Sequence, residues 1–241
     1  MGRRIIARTV ITWARGQLRR GILGESWGVA LATVVLLAAW YAMTLVYAPL
    51  NHGPDRIFLR TSLDQAIPVV PVFVIPYISL TPYIAATMAL LLLARVRVFR
   101  SAALAMIIAW LVSYAFYFFL QSYVARPQLT GSDPLTALIR TVYAVDRPFN
   151  DFPSLHTSLS SIVAIHWWRV DRRIGIVAGG WTLLIVASTV LIHQHYLADL
   201  AGGLTLAALA TVVSLRLFAR DPALSSPASA PAPGAGRAAH R

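Results

Sequence analysis

The sequence predicts an all-α polytopic membrane protein built as a bundle of six transmembrane helices. Three observations predict it: an apolar composition, six long apolar stretches, and an arginine distribution that alternates between the connecting loops. Hydrophobic residues make up 58% of the 241 residues and charged residues only 12%, about half the charged share of an ordinary soluble domain. The net charge is +12, and every one of the 21 basic residues is arginine. In so apolar a chain these arginines point to cytoplasmic loops and anionic headgroups, with no nucleic-acid partner expected. The chain contains no cysteine, which excludes a disulfide framework and a thiolate metal site.

A bilayer core takes roughly 20 apolar residues in helical form. The stretches that meet or approach this are 27–48, 71–94, 101–123, 154–169, 174–193 and 197–218. The second carries Pro71, Pro76 and Pro82, so it is expected to begin with a broken or re-entrant piece. The fourth is short and follows Pro153, a residue suited to a helix start. The apolar stretch from Trp27 is too long for a signal-peptide core and lacks a small-residue cleavage pattern, so no cleavage is expected. With the N-terminus inside, sixteen of the 21 arginines fall on inner segments; Arg56, Arg60, Arg126, Arg140 and Arg147 fall outside. This bias supports six spans with both termini cytoplasmic.

The expected organisation is a basic N-terminal segment (1–25), a six-helix membrane domain (26–220) and a disordered tail (221–241) rich in Ala, Pro, Ser and Gly. Within the first segment, residues 5–20 read either as an amphipathic helix on the inner surface or as a disordered basic leader. No internal repeat is visible.

Polar residues gather at one expected membrane face. The outer loop from Val124 to Pro153 carries Arg126, Arg140, Asp146, Arg147, Asn150 and Asp151. It runs into Pro153-Ser154-Leu155-His156, and the last outer turn contains Ser188, His193, His195 and Asp199. Ionisable residues at membrane depth are costly and invite a functional reading. On a helix, His195 and Asp199 would share a face. The carboxylate could then hold one imidazole nitrogen and leave the other free to attack. Asp199 in the first turn of a helix would also suit the helix dipole. The start of the fourth span offers unpaired N–H groups and the Ser154 hydroxyl to a phosphate. His156 there could protonate a leaving oxygen, and Arg126 and Arg147 are the available cations.

These segments resemble the type 2 phosphatidic acid phosphatase superfamily. Its second signature, Pro-Ser-x-His, stands here as Pro153-Ser154-Leu155-His156, and its third, Ser-Arg-x5-His-x3-Asp, as Ser188-Thr189-x5-His195-x3-Asp199. Its first, Lys-x6-Arg-Pro, is met by Arg126-Pro127, with Phe119 in the lysine position; Arg140-x6-Arg147-Pro148 also fits, with arginine for lysine. The surroundings, Asp146-Arg147-Pro148-x-Asn150-x-Phe152-Pro153-Ser154-Leu155-His156 and Asp64-x-x-Ile67-Pro68, are similar to the branch containing inositol phosphorylceramide synthases and related inositol-phosphotransferases. The resemblance spans about residues 60–215. It implies a six-helix bundle, a phosphohistidine on His195, His156 as acid and Asp199 as the group that orients His195. Candidate substrate-binding residues are Arg126, Ser154, Arg147, Ser188 and Asn150. No cofactor or metal is required.

The expected activity is thus a membrane lipid phosphatase or phosphotransferase with its site at the outer face of the cell membrane. Its substrate would be a lipid-linked phosphate ester. The acceptor would be water or a lipid or polyol hydroxyl. Cations are missing at Phe119 and Thr189, which favours a singly charged diester and headgroup transfer over a plain phosphomonoesterase or pyrophosphatase. Competing readings are a zinc site drawn from His156, His193, His195 and Asp199, Ser154 as a serine nucleophile, and a membrane lipid transporter or scaffold. His166 and His193 read as packing or interfacial residues. Gly179-Gly180 and Gly202-Gly203 read as close helix contacts, and the seven tryptophans as interfacial anchors.

Overall fold

A computed structural model describes residues 27–53 and 57–219; the basic N-terminal segment and the tail lie outside the described residues. Among these, all regular structure is helical, in an all-α polytopic membrane protein. The elements are α1 (Trp27–Leu50), α2 (Ser62–Ala66), a 3-10 turn (Pro71–Phe73), α3 (Val74–Ile78), α4 (Leu80–Ala94), α5 (Val96–Phe119), α6 (Pro134–Val145), α7 (Leu155–Val170), α8 (Arg172–Leu191) and α9 (Leu197–Leu217).

Among the described residues, five segments are long and apolar enough to cross a membrane: Gly28–Leu50, Pro71–Ala94, Val96–Phe119, Arg172–Leu191 and Leu197–Leu217. The expected fourth span, α7, is a helix of 16 residues, about 24 Å long at 1.5 Å per residue and so short of the ~30 Å hydrocarbon core. The expected third span begins five residues earlier and ends four residues earlier than its apolar run suggests. The proline-rich second stretch begins as expected with a broken piece. Pro71 opens the 3-10 turn, α3 lasts five residues, and α4 then runs for fifteen.

α5 is the axis of the bundle and touches α1, α4, α7 and α9. Ala102, Ala103, Ala105, Met106 and Ala109 on it are fully buried. Small side chains let neighbouring helix backbones approach, which matters where lipid removes the hydrophobic driving force between helices. The outer surfaces are apolar instead: Leu31 and Leu45 on α1, Leu93 on α4, Val177 and Leu183 on α8 and Leu209 on α9 are exposed. An exposed apolar belt around a small-residue core is the pattern of a protein solvated by lipid.

His166 is a packing residue. It is fully buried, with its Nδ1 2.8 Å from the Ile162 carbonyl and its Nε2 3.1 Å from Ser101 Oγ, which in turn meets Ser214 Oγ. The tryptophans divide. Trp110 and Trp167 are buried and Trp40 packs edge-on against Trp110, whereas Trp168 is exposed near the end of α7 with Arg172 over its ring. The two glycine pairs divide as well. A Cβ on Gly203 would come within 2.7 Å of the Ser154 carbonyl, and one on Gly202 within 2.5 Å of the Phe152 ring. Gly179 and Gly180 have open space at that position, so the close contact expected of them is absent among the described residues.

Candidate functional site

One end of the bundle holds the polar residues, and three local features assemble them. The first is the start of α7. Ser154 is its N-cap, accepting a bond from Thr157 N–H at 3.3 Å, while its own N–H donates to the Asp199 carbonyl at 3.1 Å. The close approach of Gly203 permits this contact between α7 and α9. The Tyr117 hydroxyl donates to the Pro153 carbonyl, and Ser122 Oγ accepts from the N–H groups of Asp151 and Phe152. The segment before His156 is therefore held by hydrogen bonds from α5 and the strand-like stretch after it.

The second feature is the turn between α8 and α9. α8 ends at Leu191, and His193 follows with φ 52°. The N–H groups of Gln194 and His195 both return to the Thr189 carbonyl, so His195 lies in a turn and precedes α9. The shared helix expected for His195 and Asp199 is absent. Their proximity arises because the turn delivers His195 to the first turn of α9. There Asp199 Oδ2 caps the helix by accepting from Tyr196 N–H at 2.8 Å and lies 3.4 Å from His195 Nδ1. This separation allows electrostatic contact but exceeds the 2.7–3.2 Å of a well-formed hydrogen bond.

His193 turns the other way. Its Nε2 is 3.0 Å from the Ile67 carbonyl, and burial holds its pKa below the ordinary histidine value, opposed by that bond. Asp64 caps α2 through Thr61 and also accepts from Leu197 N–H at 2.8 Å. The Asp64–Ile67 stretch thereby anchors both ends of the α8–α9 turn. Burial raises the Asp64 pKa, but the bonds from Thr61 and Leu197 more than offset it and the net shift is downward.

The third feature is the pair α3 and α6. α6 is a helix within the expected outer loop, started by Asp133, which accepts from the N–H groups of Leu135 and Thr136, and by Pro134. Its last residue leads to Asp146. One carboxylate oxygen of Asp146 accepts from Tyr47 hydroxyl at 2.9 Å and Asn51 amide at 2.8 Å, and the other from Tyr77 hydroxyl at 2.9 Å.

Between these features lies a cavity of about 320 Å³. Tyr47, Tyr77, Asp146, Asn150, His156 and His195 line its polar part, and Ile78, Leu80, Trp110, Leu155 and Leu159 its apolar part. The rings of His156 and His195 meet edge to face with centroids 5.8 Å apart, and Tyr77 stacks on His156 at 4.3 Å with 20° between the planes. The cavity can therefore present two imidazoles to one bound group, beside an apolar part suited to a hydrocarbon.

Of the five substrate-binding candidates, Asn150 lines this cavity; it is buried with φ 62° and bonded to Gln121. Ser154 and Ser188 are fully buried away from its lining, with Ser188 Oγ donating to the Ile185 carbonyl. Arg126 bonds to the Tyr143 carbonyl and Gln194 Oε1 and lies over the Tyr143 ring at 4.6 Å; it braces the residue beside His195. Arg147 is exposed and lines an adjacent cavity with His52 and Asn51. Arg140 bonds to the carbonyls of Leu129 and Gly131. Sequence reasoning missed Tyr47 and Tyr77 and gave Asp146 no role. The isolated polar end of each tyrosine was the available signal, since such a hydroxyl within an apolar span needs a partner.

Asp151 adds a further buried carboxyl, within electrostatic reach of Asp199. Burial raises its pKa well above the ordinary carboxylate value, the Asp199 charge adds to this, and Arg126 opposes it. Among the described residues no cluster of three or more His, Cys, Asp or Glu side chains is gathered as a metal site would require. No protein-family model matches this chain, and no curated protein and no solved structure is significantly similar to it.

Proposed function

We propose that the chain is an integral-membrane lipid phosphatase or phosphotransferase acting on a lipid-linked phosphate ester through a phosphohistidine on His195. The observation that carries this reading is the convergence of the His195–Asp199 pair and His156 on one cavity with a polar and an apolar part. With Nδ1 of His195 turned to Asp199, Nε2 is the nitrogen available to the phosphorus. In the first step the Nε2 lone pair forms the N–P bond and the ester P–O bond breaks. The leaving oxygen takes its proton from His156. In the second step an acceptor hydroxyl attacks the phosphohistidine, its proton passes to His156, and the N–P bond breaks. Asp199 stabilises the positive imidazole of the intermediate. Phosphoryl transfer depends mainly on such positioning and charge stabilisation.

Headgroup phosphotransfer is favoured over monoester hydrolysis. The lining of the cavity includes the Asp146 carboxylate, Arg126 is bonded to Tyr143 and Gln194, and Arg147 lines the adjacent cavity. A wall of this kind suits a singly charged diester better than a doubly charged monoester. The resemblance of the motifs to the type 2 phosphatidic acid phosphatase superfamily, and to its inositol-phosphotransferase branch, supports the same reading. In this reading α7 is a sixth, short span, both termini are cytoplasmic, and the site opens at the outer face. The acceptor is a lipid or polyol hydroxyl, or water.

The test is a comparison of purified wild-type chain and His195→Ala on phosphodiester lipids with an added alcohol acceptor. Transfer by wild type and none by the variant is expected. Rapid phosphate release from phosphatidic acid with diesters untouched would establish the monoesterase reading instead. Function retained by His195→Ala would point to a transporter or scaffold.

A further inference from the structure

Proton donation by a histidine requires its ring to face the leaving oxygen, and the described residues give the His156 ring no hydrogen bond. Its plane is set by packing, chiefly the stack on Tyr77. Tyr77 lies on α3, a five-residue helix, and its hydroxyl is tied to Asp146. Asp146 is itself fixed from α1 by Tyr47 and by Asn51 just beyond it. Three side chains from two separate parts of the chain therefore converge on one carboxylate, which holds one aromatic ring against the histidine.

We propose that Tyr77, fastened by Asp146, is the positioning residue that holds His156 in its proton-donating orientation. The inference rests on the function proposed above, with His156 as the acid. The face of an aromatic ring also favours a cation stacked on it, so Tyr77 supports the protonated imidazole as well as its direction. Neither tyrosine nor aspartate exchanges a proton with substrate; they act through His156.

The role is separable from a structural one by leaving group. An alkoxide needs a proton as it departs, whereas 4-nitrophenolate departs without one. The probes are octyl phosphate and 4-nitrophenyl phosphate, and their octyl diesters, in detergent micelles with full-length protein. General acid catalysis contributes roughly 10²–10⁴-fold. Tyr77→Leu is therefore expected to lose about tenfold or more on the alkyl esters and much less on the nitrophenyl esters, as His156→Ala should. Tyr77→Phe, which keeps the stacked ring but removes its tie, and Asp146→Asn, which leaves one acceptor oxygen for three donors, should show the same selectivity to a smaller degree. They also serve if Tyr77→Leu does not fold. Equal losses on both leaving groups, or no loss, in the Tyr77 and Asp146 variants with a selective His156→Ala would overturn the positioning role alone. A wild-type chain that turns over none of the four probes, or a His156→Ala variant without selectivity, would overturn the function and this role with it.

Discussion

Asp199 meets His195 from the first turn of α9, with Oδ2 3.4 Å from Nδ1, and the same oxygen caps the helix through Tyr196 N–H. One carboxylate thus fixes the end of a helix and faces the histidine that the preceding turn supplies. The function proposed for His195 requires both effects, because the imidazole must keep one tautomer and one direction.

Asp199→Asn should separate these effects. The amide oxygen can still cap the helix, but the charge that supports a positive His195 is gone. Turnover is expected to fall by up to roughly 10⁴-fold, the scale seen when an orienting aspartate becomes asparagine, with the helical content unchanged by circular dichroism. Activity within about twofold of wild type would contradict the role of the pair.

His193 provides the contrast two residues away. It has a positive φ and points to the Ile67 carbonyl, outside the cavity. Asparagine tolerates that backbone conformation, so His193→Asn should keep turnover within about tenfold, equivalent to roughly 1.4 kcal/mol. His195→Asn should abolish it. Comparable losses in the two variants, measured on the same diester lipid, would refute the division.

The glycine pairs should respond in opposite directions. Gly203→Ala places a methyl 2.7 Å from the Ser154 carbonyl and 2.8 Å from Thr157 Cβ, an overpacking worth about 1–3 kcal/mol. Gly179→Ala meets nothing within 4 Å and removes a helix-interior glycine, a gain of up to about 1 kcal/mol. Thermal unfolding in detergent micelles checks both signs.

Asp151 should make stability depend on pH. Its native pKa is raised by burial and by Asp199, so the unfolded chain loses this proton first as pH rises. Stability is unaffected below the ordinary value of 3.8 and falls from there toward the raised native pKa. Asp151→Asn removes that penalty. The variant should therefore gain on wild type progressively as pH rises through this window. A difference that does not vary with pH would show that Asp151 is already ionised in the native protein.

The sequence reveals residues whose roles are local and conceals those whose roles depend on distant partners. His156, His195 and Asp199 are legible because two short motifs carry them at set spacing. Tyr77 and Asp146 are not, because they meet across 69 residues and Tyr77 reads as one more apolar residue of a span. Arg126 is visible through its motif, yet its direction depends on Tyr143 and Gln194, which no local pattern announces. The long apolar spans follow from hydropathy. α6 escapes it because twelve residues with a mixed surface resemble loop, although Asp133-Pro134 marks a helix start. Tertiary context also replaced the helical pairing expected of His195 and Asp199 with a turn that achieves the same proximity.

The most direct evidence would come from trapping the covalent intermediate by quenching turnover in mildly alkaline detergent, using lipids labelled at phosphorus and in the headgroup, followed by peptide mapping at alkaline pH. Label is expected on His195, stable to base and released by acid, absent from His195→Ala, and carrying the headgroup along with the phosphorus. Label on Ser154, or the absence of any covalent adduct during active turnover, would contradict it.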